Sequence, residues 1–252
     1  MSTQSVVTAV RVIEAVSESQ PVGLSDLART LDASKATVLR VLNTLAELRW
    51  VQQSELAKLW SLTPHAYAVA VRSGPMSSLR DIAIGHMNTL QLATTETVHL
   101  AIPDGDILIL AERLDTPHVL RAFLPLGSKI PLHASATGIA FLAASEDSFI
   151  AEYLASALDS VTERTLTDRD VLLAEISAVR ARGYSINEEG LSSGITSLGA
   201  AILGPGGDPL GSVSVSGPSS RIVPERYTEY GQAVHAAARS IGRSAAQAGT
   251  RL

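Results

Sequence analysis

The chain has 252 residues, 46% of them apolar and 18% charged. That is enough apolar material for one large core or two ordinary ones, and it excludes a disordered chain. Cysteine is absent and aromatics are only 4%, so disulfides, thiol chemistry, Cys-ligated zinc and a stacking platform for single-stranded bases are excluded. The net charge of −5 argues against a nucleic-acid partner only until it is divided along the chain. Residues Met1–Arg72 hold seven basic and six acidic residues, and the remainder 13 and 19, so any phosphate contact belongs in the first part. There is no run of about 18 apolar residues. Met1–Val10 lacks the basic-then-apolar plan of a signal peptide, and a cytoplasmic protein with no membrane partner is expected.

Val7, Val10, Ile13 and Val16 recur at helical spacing and predict a first amphipathic helix over 7–16. Ser17–Gly23 ends it. Leu24, Leu27, Ala28 and Leu31 predict a short second helix. Asp32-Ala33-Ser34 is a tight turn, and Ser34 is a good N-cap for a third helix over 35–49. Val38, Val41, Leu42, Leu45 and Leu48 form its apolar stripe, while Lys35, Thr37, Arg40, Asn43 and Thr44 mostly lie off it.

Two short helices joined by a tight turn form a helix-turn-helix, whose second helix enters the DNA major groove. Trp50–Gln53 and Leu59–Leu62 predict a hairpin around Ser54–Lys58, which makes the module winged. Lys35 and Arg40 can donate to phosphates or guanine edges, and Thr37 can reach a base or phosphate. Ser34, Thr44 and Lys58 at the hairpin complete the candidate DNA contacts. Surface Lys and Arg are also ordinary solvated residues, and winged helices serve as protein-interaction modules.

Thr63–Arg72 is predicted helical after Pro64, and Ser73-Gly74-Pro75 breaks it. The expected domains are 1–62, a linker helix 63–76, and 77–252. Leu79–Leu92 reads as a helix. Thr97–Ile102 and Ile107–Ala111 read as a hairpin around Pro103–Asp106, and Val119–Leu124 as a further strand. Helices are predicted over 139–144, 149–157, 168–181 and 224–246, and strands over 184–187, 198–203 and 210–216. Strands joined by hairpins and mixed with helices predict an α+β fold.

Chemistry-bearing patterns are sparse. The six histidines show no metal-ligand spacing, and serine-nucleophile and phosphate-loop signatures are absent, so no metal or cofactor is expected. Asp104-Gly105-Asp106 reads better as a turn than as a metal loop, and Glu188-Glu189 better as solvated charge than as an acid–base pair. One stretch stands apart: Gly127–Ala140 runs from small and polar residues straight into an apolar helix. Ser135, Ala136 and Thr137 fall where a helix start offers free N–H groups to a carboxylate or phosphate, or simply where the helix is capped.

Four segments, in this order, resemble the IclR family of bacterial transcription regulators. They are Lys35–Leu45 behind Leu24–Leu31; Pro131–Ser135; Arg182-Gly183-Tyr184 with Glu188-Glu189; and Ser214–Pro218 with Arg221. The resemblance covers nearly the whole chain. It implies a winged helix-turn-helix domain, a linker helix and a GAF-like effector domain. It further implies a homodimer or homotetramer on a palindromic operator of double-stranded DNA, responsive to a small organic acid. Carried over by position, effector contacts fall at Ala136, Thr137, Gly138, Asn187 and Ser197, with an apolar patch from Val119, Ala122, Ile130 and Ile195. The chain departs from the family at Ile139, where Lys is usual, at Asn187, where an acid is common, and at Ser197, often Cys. The implied pocket is less charged, suits a ligand with extra hydroxyl or carboxylate acceptors, and cannot sense redox at position 197. The alternatives at this point are a ligand-binding or dimerisation protein without DNA binding, and an enzyme built on His133, Ser135 and Glu188.

Overall fold

Apolar spacing decides the helices of the N-terminal unit. The computed structural model describes residues 3–72 and 74–249, so Ser73 of the expected helix break lies outside the described residues. The chain divides into two compact units, Met1–Gly74 and Pro75–Leu252. The first contains α1 (Gln4–Ser19), α2 (Leu24–Thr30), α3 (Lys35–Glu47), strands β1 (Val51–Gln53) and β2 (Trp60–Leu62), and α4 (Pro64–Val71). Val12, Val16, Leu27, Val38, Leu42, Leu45 and Trp60 close its core. Two assigned stripes shift: Val7 and Val10 of α1 are exposed, and Leu48 is 59% exposed, because the i, i+3, i+4 stripes that reach the core run through Val12–Val16 and Val38–Leu45. β1 and β2 pair antiparallel, Val51 opposite Leu62, as the wing hairpin.

The second unit begins with α5 (Gly74–Thr94), which starts five residues before the expected Leu79 and takes in 74–76 of the expected linker; Pro75 suits a first helical turn. Then come β3 (Thr97–Asp104), β4 (Ile107–Leu114), β5 (Lys129–Pro131), α6 (Ala136–Ala144), α7 (Asp147–Ala155), α8 (Arg169–Arg182), β6 (Ser185–Glu188), β7 (Ile195–Leu203), β8 (Pro209–Pro218) and α9 (Pro224–Gln247). The six strands form one antiparallel sheet in the order β5-β4-β3-β8-β7-β6. Side chains alternate across a sheet. Val98, Leu100, Leu198, Ala200, Val213 and Val215 meet apolar residues of α5 and α9 on one face. The other face carries a second core with α6, α7 and α8.

Register gives that second face its character. Asn187 pairs with Ser197, Ser197 with Ser216, and Ser216 with Thr97. In the adjoining row Ser185 pairs with Gly199, Gly199 with Ser214, Ser214 with His99, and His99 with Arg113. The residues of these rows are small or polar, so the start of helix α6 lies close on the sheet beside a void. A side chain at Gly199 would put a Cβ 2.6 Å from the Ala136 carbonyl oxygen, and Ser185 Oγ donates to that oxygen at 2.6 Å.

The expected strand over 119–124 is a correction: the segment is irregular. Side chains, rather than a strand ladder, take its carbonyls. Arg221 Nη2 donates to Leu120 O at 2.9 Å, Thr97 Oγ1 to Ala122 O at 3.3 Å, and Arg113 Nη1 to Leu124 O at 2.5 Å. Arg221 also grips Glu96, which is 2% exposed, through two bonds of 2.6 and 2.7 Å.

Two expectations follow for stability. Arg221→Ala leaves the Glu96 carboxylate buried and unpaired, and should destabilise the unit by about 3 kcal/mol, read as a lower urea midpoint; a change within about 0.5 kcal/mol would refute the role assigned to the pair. His99 is also buried, and its pKa is pushed down from 6.5 to about 4, by burial first and then by Arg113, with Asp115 opposing. The folded chain therefore declines a proton that the unfolded chain accepts. Its contribution is complete above about pH 6.5 and is lost as pH falls toward about 4, by about 3 kcal/mol in all. Urea curves across that window should be steeper in pH for the wild type than for His99→Gln; parallel curves would count against the assignment.

Candidate functional site

The candidate DNA contacts sit on α3 and the wing. Ser34 caps α3, its Oγ accepting from Thr37 N at 3.1 Å, and the two hydroxyls lie 2.9 Å apart. Lys35, Arg40 and Thr44 are exposed, and Thr37 is half-buried. Arg40 and Thr44, one turn apart, lie opposite the buried Val38, Leu42 and Leu45 stripe, and Thr44 Oγ1 donates to Arg40 O at 3.1 Å. Lys58 stands in the wing turn with φ +54°; its carbonyl accepts from Gln53 Nε2 at 3.0 Å. Neither Lys35, Arg40 nor Lys58 forms an ion pair among the described residues. The sequence-predicted side chains thus share one unit, with α3 presenting two cations and the wing a third.

In the second unit a cavity of about 290 Å³ opens between the polar sheet rows, the start of α6 and the irregular 119–124 segment. Ala122, Ile130, Ala136, Thr137, Asn187, Ile195 and Ser197 all line it. Val119 does not: it is 96% exposed, while Arg121–Leu124 of the same strap contribute to the lining, with Ala122 buried and Phe123 still 59% exposed. Gly138 does not either. It is spent on packing, since a Cβ there would lie 2.3 Å from the Leu132 carbonyl oxygen, and its N–H donates to Ser135 Oγ at 2.9 Å. That capping bond leaves the N–H groups of Ala136 and Thr137, which have no acceptor among the described residues.

Of the remaining walls, only Ser135 at the helix start was singled out from sequence. His99, Arg121, Phe123, Leu124, Ser135, Leu191, Ser192, Ser214 and Ser216 also line the cavity. A signal for two of them existed: Ser212-Val213-Ser214-Val215-Ser216 alternates with period two, which places the serines on one face. No such signal marks His99, which sits among apolar residues and resembles a core position. Its Nδ1 lies 3.2 Å from Ser216 Oγ, which in turn accepts from Ser197 Oγ at 2.8 Å. With its pKa near 4, His99 is neutral at neutral pH. Arg121 brings the cation of the wall, 4.0 Å from Asp115, and no carboxylate lines the cavity among the described residues. Asn187 keeps its Oδ1 on Gly190 N at 3.0 Å.

The enzyme constellation does not assemble. His133 is wedged between the Tyr153 hydroxyl, 2.5 Å from Nδ1, and the Asp159 carbonyl, 2.9 Å from Nε2. Ser135 Oγ donates to Pro131 O and caps α6, and Glu188 accepts from the Tyr227 hydroxyl at 2.7 Å. Burial, and then this carboxylate, push the Tyr227 pKa up to about 12. His133 and Ser135 share no hydrogen bond, so they form no nucleophile–base pair. Among the described residues no cluster could hold a metal ion, and no helix is long and apolar enough to cross a membrane.

Comparison with known proteins agrees with this layout. The family description "IclR helix-turn-helix domain" matches residues 5–55, and "Bacterial transcriptional regulator IclR C-terminal" matches residues 76–243. The chain is similar to the transcriptional repressor IclR of Escherichia coli, 31% identical over 244 residues, covering 94% of this chain and 88% of that one. It is similar to the repressor AllR of Escherichia coli, 31% identical over 219 residues, covering 86% and 81%. Among solved structures, Thermotoga maritima IclR superposes with a TM-score of 0.77 at 25% identity, covering 96% of this chain and 99% of that one. An IclR homolog from Microbacterium hydrocarbonoxydans superposes with a TM-score of 0.86 at 21% identity, covering 97% and 99%, a likeness of fold. These relatives are regulators rather than enzymes. With a helix-turn-helix at one end, a lined cavity at the other and both family descriptions matched, the chain belongs to the IclR family and is a DNA-binding transcriptional regulator.

Proposed function

We propose that this regulator binds a palindromic operator as a dimer, and that a small organic acid seated in the cavity modulates that binding. In this reading residues 1–62 are the DNA-binding domain, 63–76 the linker and 77–252 the effector domain. The observation that carries the effector class is the cavity wall. Two N–H groups without acceptors at the α6 start and the Arg121 side chain, whose guanidinium lies 4.0 Å from Asp115, border a space with no lining carboxylate among the described residues. Helix dipole, free donors and cation all favour a carboxylate there. Ala122, Leu124, Ile130, Leu191 and Ile195 suit a compact apolar body. The Microbacterium homolog is described in complex with 4-hydroxybenzoate, an acid of this size class.

On DNA, Arg40 reads the major groove beside Lys35, Thr37 and Thr44, Ser34 caps the helix at the backbone, and Lys58 meets a phosphate from the wing. One such helix reads few base pairs, so a second half-site supplies specificity and affinity. For an effector to alter operator affinity it must bind two states of the protein unequally.

Binding to the DNA upstream of the chain's own gene, measured by fluorescence anisotropy against salt, checks the interface. Arg40→Ala should cost about 1–3 kcal/mol and relax sequence preference, while Lys58→Ala should weaken binding evenly and lower the salt slope by about one. Wild-type-like specificity in Arg40→Ala would overturn the groove assignment. For the cavity, melting of the full chain with size-matched carboxylates and primary amines decides: carboxylates should raise the midpoint, and preference for the amines would sink the anion reading.

A further inference from the structure

Strand β7 outruns the strand beside it. β6 pairs with it only from Thr196 to Gly199, so Ala200–Leu203 has β8 on one side and no strand on the other. Hydrogen bonds further along show which backbone groups face that gap. Glu189 N donates to Ile195 O at 2.9 Å on the β6 side, and Ser219 N donates to Gly194 O at 2.8 Å on the β8 side. Backbone groups alternate between the two sides, so Ser197 and Gly199 face β6, and two residues on Ala201 presents its N–H and C=O the same way. β6 has ended there, and these two groups have no partner among the described residues. An open strand edge is a template for another strand. The register shift between Ile202 and Leu203 ends the regular edge, so the opening is short.

The opening lies in a groove of about 540 Å³ whose apolar lining includes Ala140, Ala143, Ala201 and Leu203. Helix α9 runs past it. A Cβ at Gly183 would sit 2.4 Å from the His235 ring, and one at Gly242 would sit 2.5 Å from Leu203 O, so α9 follows the edge from one end of the opening to the other. Along this stretch Arg239 and Arg243 line the groove. Both are exposed, and neither forms an ion pair among the described residues; Arg243 Nη2 donates to Ser240 Oγ at 2.9 Å. A third cation, Arg180, is already engaged: it donates to Ala143 O and Ser145 O and pairs with Asp147 at 2.9 Å. No carboxylate lines the groove among the described residues.

We propose that this groove docks an extended acidic segment of a partner protein, which adds to the β7 edge at Ala201 and carries acidic residues at every second position. Spacing sets that pattern. Arg239 and Arg243 stand four residues apart, about 6 Å along a helix, and side chains on one face of a strand recur about every 6.8 Å. Main-chain bonds to the edge supply affinity, and alternate side chains supply selectivity. The same groove of a second copy is a poor occupant, because it would set arginines against arginines. The cavity under the strap takes no part, so this inference stands apart from the effector reading.

Fluorescence anisotropy on the full chain with labelled, end-blocked octapeptides tests this. A peptide alternating glutamate and valine should bind saturably. It should bind at least about 10-fold tighter than its isomer with the glutamates in adjacent pairs, or than its lysine counterpart. The double variant Arg239→Ala, Arg243→Ala changes only exposed side chains and should keep the wild-type melting midpoint while losing that preference; replacing both by Lys should retain part of it. Nitrogen-15 spectra of the wild type give a readout independent of any variant: the Ala201 amide should shift, and exchange more slowly, with the alternating peptide. Equal binding of the two isomers, a preference that the double Ala variant keeps, an unmoved Ala201 amide, or no binding would overturn the proposal. A smaller assembly of the double Ala variant in sedimentation would assign the groove to a second copy and overturn it as well.

Discussion

The second unit depends on how closely helix α6 can approach the sheet. At Gly199 there is no Cβ, so the Ala136 carbonyl settles against strand β7 and takes a hydrogen bond from Ser185. At Gly138 the same helix presses on the Leu132 backbone. Both contacts lie at the beginning of α6, so the helix start is fixed in place rather than the middle. A helix start carries donors that the helix itself cannot satisfy. Pinning it beside a void converts a packing contact into a binding surface.

The void itself comes from side-chain size. Where the sheet faces α5 and α9 it carries Val, Leu, Ile and Ala and packs solidly. On the opposite face, in the rows that run through Asn187, Ser197 and Ser216 and through Gly199, Ser214 and His99, the residues are small or polar. They cannot fill the space under the strap. The strap is held by side chains of Arg113, Arg221 and Thr97 instead of by a strand ladder; Arg121 to Leu124 contribute to the cavity lining while Val119 faces solvent. Arg221, which pairs with the buried Glu96, thus also holds the strap at the Leu120 carbonyl.

The N-terminal unit works with little charge. Its surplus of basic residues is a single one, so any affinity for DNA rests on where Lys35, Arg40 and Lys58 stand rather than on an overall field. Their exposure, and their lack of ion pairs among the described residues, keeps them available. The acidic excess belongs to the other unit, yet the proposed effector pocket in it has no lining carboxylate among the described residues. Local lining, not net charge, decides what each half of the chain can attract.

By itself the sequence determined the helix-turn-helix, the wing hairpin, the α+β class and the family, because these follow from periodicity, capping and motif order, all local properties. It also located the α6 start, since Ser135 and the small residues after it announce a capped helix. Residues placed by analogy fared unevenly: Ala136, Thr137, Asn187 and Ser197 reach the cavity, whereas Val119 turns outward and Gly138 is consumed by packing. What only the tertiary structure decided is which strands lie side by side. Period-two alternation tells which face a residue occupies, but not that Ser216 of β8 stands between Ser197 of β7 and His99 of β3. Residues 117 positions apart in sequence make that contact. The surroundings of that imidazole are a property of the assembled sheet, and no reading of His99 among its apolar neighbours in the chain could reveal them.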